Sequence, residues 1–308
     1  MIINFCFLYL HIFYYKGGFN LMVSSNRKVK VAALSIASNT TLIILKVGAG
    51  LLSGSVSIVS EAIHSGMDLV ASIIAFLSVR ISSKPADEEH PYGHGKIENI
   101  SGLAEGLLIF VAAFLIIKES ALKIIHPAEI AETSVAIIAM LISAIVNTIV
   151  SRILYKVAKE EDSLALEADA LHLKTDVYTS VGVAVGLLLI KLTGISILDP
   201  IAAIIVACFI IKEAWHLSKS AFTPLIDARL APEEEEKIKE VMGRYKDEII
   251  NFHNLKTRKS GAVRYVDFHI TVKSELTAKD THELIKRIEK SLEEKIKNIN
   301  VNIHVDHD

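Results

Sequence analysis

Six long apolar stretches occupy roughly the first two thirds of this 308-residue chain. A helix needs about 20 predominantly apolar residues to cross the hydrocarbon core of a bilayer. Because a backbone in lipid must satisfy its own hydrogen bonds, stretches of this length predict six transmembrane helices. Their expected bounds are Val31–Leu52, Val56–Ile81, Ile97–Ile117, Val135–Tyr155, Leu164–Leu192 and Ile197–Trp215.

The charged residues divide the chain into two unlike regions. Apolar residues make up 51% of the chain and the mean hydropathy is +0.43, although 22% of the residues are charged. The charge is concentrated from about Ala228 onward, where helix and strand patterns alternate as αββαβ and predict a small sheet backed by two helices. We therefore expect an amino-terminal extension outside the fold (1–25), a transmembrane domain (26–222) and a cytoplasmic domain (223–308).

The basic loop residues predict the orientation in the membrane. They precede the first span and lie in the loops after the second and fourth spans, so the positive-inside tendency places both termini in the cytoplasm of a multi-pass cell (inner) membrane protein. The first 15 residues are apolar and aromatic but lack the basic start and cleavage site of a signal peptide. We expect Met22 to be the natural start, with an interfacial anchor as the alternative.

Two copies of the pattern His-x-x-x-Asp lie within these apolar stretches. His64 and Asp68 lie in the second span, and His172 and Asp176 lie in the fifth. Residues four apart share a helix face, and ionisable groups at membrane depth usually mark a pathway or a site. Two such pairs facing each other supply the four ligands of a tetrahedral divalent metal. One such histidine is more often structural, but two identical pairs favour a metal transport site.

The ligand chemistry of these pairs favours zinc and a link to protons. Imidazole shifts a site away from manganese and magnesium and towards zinc, copper, iron and nickel. Histidine titrates near physiological pH, so metal binding releases protons and protonation releases metal. Asp169 lies three residues before His172 and either lines the entrance to the site or is a solvated residue at the mouth of the helix. We expect Asn39 to be an interhelical hydrogen-bond partner and not a ligand.

Two further clusters of metal-binding residue types lie outside the spans. The loop after the second span contains Asp87, His90 and His94 among glycines, which suggests either a second metal site or a solvated polar loop. The tail contains several histidines, which either form a metal site or are scattered over the surface. These tail residues are His253, His269, His282, His304 and Asp306.

With these motifs the chain resembles the cation diffusion facilitator family, and its bacterial zinc–proton antiporters in particular. The similarity covers about Asn26 to Asp306 and depends on the two His-x-x-x-Asp pairs, the Asp87 loop and the closing Ile303-His304-Val305-Asp306. The resemblance implies a six-helix membrane domain and a ferredoxin-like cytoplasmic α+β domain, assembled as a homodimer in the lipid bilayer.

The resemblance also implies roles for individual residues. The transport site would consist of His64, Asp68, His172 and Asp176, and the loop site of Asp87, His90 and His94. The tail would hold a binuclear site of His253, His269, His304 and Asp306, with His282 beside it. Lys96 and Asp227 match a charge pair that locks the membrane domains together, with Arg229 joining them.

These observations predict a secondary transporter that exports Zn²⁺ from the cytoplasm in exchange for protons, with zinc also bound at the loop and tail sites. The same fold accommodates Fe²⁺, Mn²⁺, Co²⁺ or Cd²⁺. One rival is an intramembrane metalloenzyme, which the absence of His-Glu-x-x-His disfavours, so we expect no enzyme activity. The other rival is a membrane-bound metal sensor without flux. We expect no nucleic-acid partner.

Overall fold

The chain folds into six long helices followed by a small domain of helices and strands. This computed structural model describes residues 21–53, 56–125, 134–193 and 197–308; most of the predicted amino-terminal extension lies outside that part. The six helices agree with the six predicted spans. They are α1 (Leu21–Ser53), α2 (Val56–Ser82), α3 (Lys96–Ile125), α4 (Ser134–Glu161), α5 (Leu164–Thr193) and α6 (Leu198–Leu225).

The described part of the chain contains four of the expected membrane spans. Within the described residues, four segments are long and apolar enough to cross a membrane by length and composition: Arg27–Gly48, Lys96–Ile125, Leu141–Glu161 and Pro200–Leu225. They belong to α1, α3, α4 and α6. The other two helices, α2 and α5, carry the two His-x-x-x-Asp patterns. These two helices are as apolar on average as the other four, although they also carry the polar residues of the two patterns.

Helix α5 lies at the centre of the bundle because two apolar clusters share it. Its Leu166 and Leu173 pack with residues of α1, α2 and α4, including Leu154. Its Ala168 packs on the other side with residues of α3 and α6, including Ile109. The polar residues of α5 are therefore surrounded by the other helices.

The outer faces of the bundle are apolar. Large apolar side chains are exposed on α1, α3, α4 and α6, and exposed apolar area of this extent marks a membrane interaction surface. Examples are Ile44, Val111, Phe114, Ile145, Phe209 and Trp215.

The cytoplasmic domain contains α7 (Pro232–Gly243), β1 (Asn251–Ser260), β2 (Val263–Val272), α8 (Ala278–Lys295) and β3 (Ile299–His307). The strands form one sheet in the order β1-β2-β3, with β1 and β2 antiparallel and β2 and β3 parallel. Proline opens α7 and Thr277 caps α8 by accepting a hydrogen bond from the Asp280 backbone amide. The predicted αββαβ order is confirmed.

The two faces of this sheet differ in character. Side chains alternate between faces along a strand, so Val266, Phe268 and Ile270 of β2 point to one side. They form the core with Leu284 and Ile288 of α8. The intervening residues of β2 point to the opposite face, which is therefore the face that carries His269.

Candidate metal centres

The bilayer site brings the carboxylate of α2 to the histidine and carboxylate of α5. Ligand atoms of Asp68, His172 and Asp176 all lie within 4.8 Å of one another. Nε2 of His172 is 3.2 Å from Oδ1 of Asp68, and the two side chains are only 12% and 8% exposed. His64 lies one helical turn before Asp68 on α2; its side chain lies outside the described residues.

The separation between Nε2 of His172 and Oδ1 of Asp68 is compatible with a shared metal ion as well as with a hydrogen bond. Ligands about 2.0 Å from a tetrahedral zinc ion lie about 3.3 Å from each other. Small shifts of the Asp68 and His172 side chains would therefore admit an ion, and imidazole with carboxylate is a donor set that zinc accepts.

A buried hydrogen-bond network supports this site from α1. Nδ2 of Asn39 donates to Oγ of Ser72 at 2.7 Å and to the backbone oxygen of Asp68 at 3.4 Å. Ser72 in turn donates to Oδ1 of Asp169 at 3.1 Å. The prediction that Asn39 is an interhelical partner is confirmed. Asp169 is 0% exposed, so its interpretation as a solvated residue is wrong.

Two ionisable residues near the site were missed by sequence reasoning. Lys46 of α1 is 7% exposed and donates to Oγ of Ser65 at 2.7 Å. Glu105 of α3 is 0% exposed, accepts from Ser101 at 3.3 Å and lies close enough to Asp169 and His172 for their charges to interact. Each is the one charged residue in the apolar middle of its helix, and that isolation was the signal available.

The loop site is formed within one short turn. Nδ1 of His90 and Nε2 of His94 each lie 3.3 Å from an oxygen of Asp87. The three residues also form a group with ligand atoms within 4.8 Å of each other. Gly93 makes this possible because its φ of +77° belongs to the left-handed region, where glycine is favoured, and its amide donates to the His90 backbone oxygen at 2.9 Å.

Asp87 is held in its charged form. The backbone amide of His90 donates to the carboxylate at 2.7 Å. This bond, together with the two imidazoles, lowers the pKa of Asp87 below its ordinary value. An ionised carboxylate beside two imidazoles fits a divalent cation.

The tail site follows from strand register. His253, His269 and His304 are aligned side by side across β1, β2 and β3. Asp306 joins them: Oδ2 lies 3.4 Å from His253 and 3.2 Å from His269, and Oδ1 lies 3.4 Å from His304. The structure therefore brings four of the five predicted tail residues together.

The fifth tail residue lies elsewhere. His282 is exposed on α8, and α8 packs against the face of the sheet that carries Phe268. The histidines of the cluster lie on the opposite face, because His269 neighbours Phe268 in β2. The structure does not bring His282 to this group.

The two residues of the predicted charge pair contact each other within this chain. Nζ of Lys96 lies 2.7 Å from Oδ1 of Asp227, and this hydrogen bond lowers the pKa of Asp227. Arg258 of β1 lies 3.5 Å from the same oxygen. Arg229 instead pairs with Glu235, with Nε to Oε1 at 2.9 Å, so the expectation that it joins Lys96 is wrong.

Comparison with known proteins identifies the family. Residues 32–226 match the cation efflux transmembrane domain, and residues 230–308 match the cytoplasmic domain of cation efflux proteins. The chain belongs to the cation diffusion facilitator family. It is thus a multi-pass membrane transporter of divalent metals. The family consists of transporters and not of enzymes.

Individual relatives match most of the chain. An uncharacterized transporter of Synechocystis sp. is 35% identical over 275 residues, covering 89% of each chain. The cation-efflux pump FieF of Shewanella oneidensis is 31% identical over 258 residues, covering 83% of this chain and 86% of the relative.

A solved metal-bound C-terminal domain of the CzcD transporter from Thermotoga maritima is 28% identical, with a TM-score of 0.23, and covers 24% of this chain and 87% of that structure.

Proposed function

We propose that this transporter exports zinc from the cytoplasm in exchange for protons. The observation that carries the proposal is the convergence of Asp68, His172 and Asp176 from two helices to within 4.8 Å in the interior of the bundle. With His64 they form the proposed transport site. A site that contains imidazole favours zinc over manganese or magnesium, whereas Fe²⁺, Co²⁺ and Cd²⁺ are the competing cargoes.

Proton exchange follows from the same ligands. Zinc binds neutral imidazole and ionised carboxylate, so binding displaces protons and protonation releases the ion. Because His172 contacts Asp68 directly, protonation of that histidine replaces a metal bond with a hydrogen bond to the carboxylate. Asp68 therefore keeps a positively charged partner in both the metal-loaded and the protonated form.

The remaining parts of the proposal concern placement and assembly. Both termini lie on the cytoplasmic side of the inner membrane, as the basic loops predict. Two copies pair through their cytoplasmic domains, since a domain of about 80 residues has a small core on its own. The loop residues (Asp87, His90, His94) and the tail residues (His253, His269, His304, Asp306) bind zinc on the cytoplasmic side. The Lys96–Asp227 pair locks the two membrane domains at the cytoplasmic face.

The test is zinc flux into proteoliposomes that contain a zinc-sensitive dye, with a pH dye in parallel samples. We expect zinc to enter and protons to move in the opposite direction for the parent chain. Asp68→Ala and Asp176→Ala should each lower the flux at least about a hundredfold, because each removes a metal ligand from a buried site. Glu119→Ala removes an exposed carboxylate of α3 and serves as the matched control.

The outcomes separate the alternatives. Zinc transport by both aspartate variants at the parent rate would refute the site assignment. Flux of another divalent metal in preference to zinc would correct the cargo, and zinc flux without proton movement would refute the exchange. Zinc binding to the tail with no flux for any metal would identify a sensor.

A further inference from the structure

The hairpin of β1 and β2 spans the distance between the tail site and the membrane domain. His253 and His269 face each other near one end, and Lys259 faces Arg264 near the other. His253 and Lys259 are six positions apart on β1, which contains a β-bulge between His253 and Lys256, so they are separated by at most about 20 Å. Strand β2 provides the continuous connection, because it pairs with β3 at every position from Arg264 to Val272 and so links His269 directly to Arg264.

At the end of the hairpin nearest to the membrane domain, two basic side chains form ion pairs with one carboxylate. Nζ of Lys259 lies 2.8 Å from Oδ1 of Asp162, and NH1 of Arg264 lies 2.7 Å from Oδ2. Nε of Arg264 also donates to Glu234 of α7 at 2.8 Å. The Arg264 side chain is only 14% exposed, so the contact is partly shielded from solvent.

Asp162 occupies the corner between α4 and α5. Its φ of 51° reverses the chain there. The next residue, Ser163, is 1% exposed and donates to Oε2 of Glu98 at 2.5 Å. Oε1 of Glu98 binds Lys28 of α1 at 2.8 Å. The corner is thus fixed by the bundle on one side and by the cytoplasmic hairpin on the other.

The corner leads directly into the transport helix. Helix α5 begins at Leu164, and His172 lies about 12 Å further along it at 1.5 Å per residue. A displacement of the Asp162 corner therefore moves α5 at its end nearest to the site.

We propose that Asp162 is a positioning residue that couples metal occupancy of the tail site to the orientation of α5, through its ion pairs with Lys259 and Arg264. The coupling is separate from the Lys96–Asp227 pair, which holds α3. It rests on the proposed function in that the coupled quantity is metal flux through the bilayer site.

The first test is a double-mutant cycle on flux in proteoliposomes. Asp162→Asn removes the charge but keeps a residue that tolerates left-handed φ, and Asp306→Ala removes the carboxylate shared by the tail histidines. We expect each single variant to lower flux several-fold and the double variant to match the single variants. Glu160→Gln, which alters a neighbouring carboxylate that pairs with Arg27, should leave the effect of Asp306→Ala unchanged.

The second test does not depend on metal flux, and it distinguishes coupling through Asp162 from a purely structural role of that residue. Hydrogen exchange is followed at the first turns of α5 with and without zinc, in the full-length protein in which Asp68→Ala has removed the transport site. Zinc should slow exchange there when residue 162 is aspartate and should have no effect when it is asparagine.

Either test can overturn the proposal. Multiplicative losses in the double variant, or no effect of Asp306→Ala on flux, would show that the two positions are uncoupled. Equal zinc protection of α5 with and without the Asp162 carboxylate would show the same. Failure of zinc flux in the parent chain would instead refute the proposed function and leave the hydrogen-exchange test standing.

Discussion

The carboxylate of Asp306 contacts all three histidines of the tail site. Its two oxygens lie 3.2 to 3.4 Å from nitrogens of His253, His269 and His304. These separations are close to the about 3.3 Å expected between ligands of a tetrahedral zinc ion. Asp306 is therefore the tail residue whose loss should matter most.

We predict that Asp306→Ala weakens zinc binding to the tail site by at least about tenfold, the size of effect that loss of a supporting partner alone produces. Isothermal titration of full-length protein in which Asp68→Ala and Asp87→Ala have removed the other sites measures this directly. His282→Ala is the matched control, and the position of His282 on α8 predicts unchanged affinity. A larger loss in His282→Ala than in Asp306→Ala would contradict the arrangement in the structure.

At the same scale, spacing decided which residues sequence reasoning could find. The four-residue spacing of each His-x-x-x-Asp pattern predicted that its two residues share a helix face. The structure brings Asp68 together with His172 and Asp176. The tail histidines come from three strands and meet through register, so the family resemblance, and not their spacing, predicted that they form one group. Glu105 and Asp162 belong to no repeated motif, so their contacts emerged only from the packing of helices and domains.

At the scale of elements, the number and order of helices and strands followed from hydrophobic pattern, whereas their ends did not. Helix α6 continues to Leu225, ten residues beyond the expected end at Trp215. A helix does not need to stop where the bilayer stops, because its backbone hydrogen bonds are satisfied within the helix. The hydropathy pattern marks the membrane-embedded part, and polar residues extend the helix towards the cytoplasmic domain.

The loop and the hairpin approach each other through two glycines. A Cβ on Gly95 would lie 2.6 Å from the backbone oxygen of Ser260, and a Cβ on Gly261 would lie 2.8 Å from Cα of Gly95. Beside them, the hydroxyl of Tyr265 donates to the backbone oxygen of Tyr92 at 3.0 Å, and Arg258 lies over both tyrosine rings. The loop site therefore rests directly on the hairpin.

We predict that Gly95→Ala forces the loop away from the hairpin, because the clash is with backbone that cannot rotate aside. Overpacking of this kind typically costs about 1–3 kcal/mol, and it should lower the thermal midpoint of the purified protein. Gly243→Ala is the control, since a Cβ there meets nothing within 4 Å. Equal midpoints for the two variants would refute the close approach.

For the whole molecule, ion pairs of fixed charge join the two domains. Lys96 binds Asp227, and the stability that this ion pair contributes depends on the protonation of Asp227. The hydrogen bond from Lys96 lowers the pKa of Asp227. The pair therefore contributes stability above the unfolded pKa of about 3.9, and that contribution is lost only as pH falls through the lower folded value.

We predict that Asp227→Asn lowers stability by a small and constant amount between about pH 5 and 8. The Asp227 side chain is 53% exposed, and exposed pairs contribute at most about 1 kcal/mol. Thermal midpoints of parent and variant across this range provide the measurement, and the difference should shrink below about pH 4 and at high salt. A difference that changes between pH 6 and 8 would point to a histidine and not to this pair.

The sharing of α5 by both apolar clusters limits how the transporter can move. Because one half of the bundle packs on one side of this helix and the other half packs on its opposite side, neither half can tilt while α5 stays still. Closely packed interiors switch between discrete arrangements and do not deform gradually. A tilt of either half should therefore move α5 and the other half with it in one concerted step.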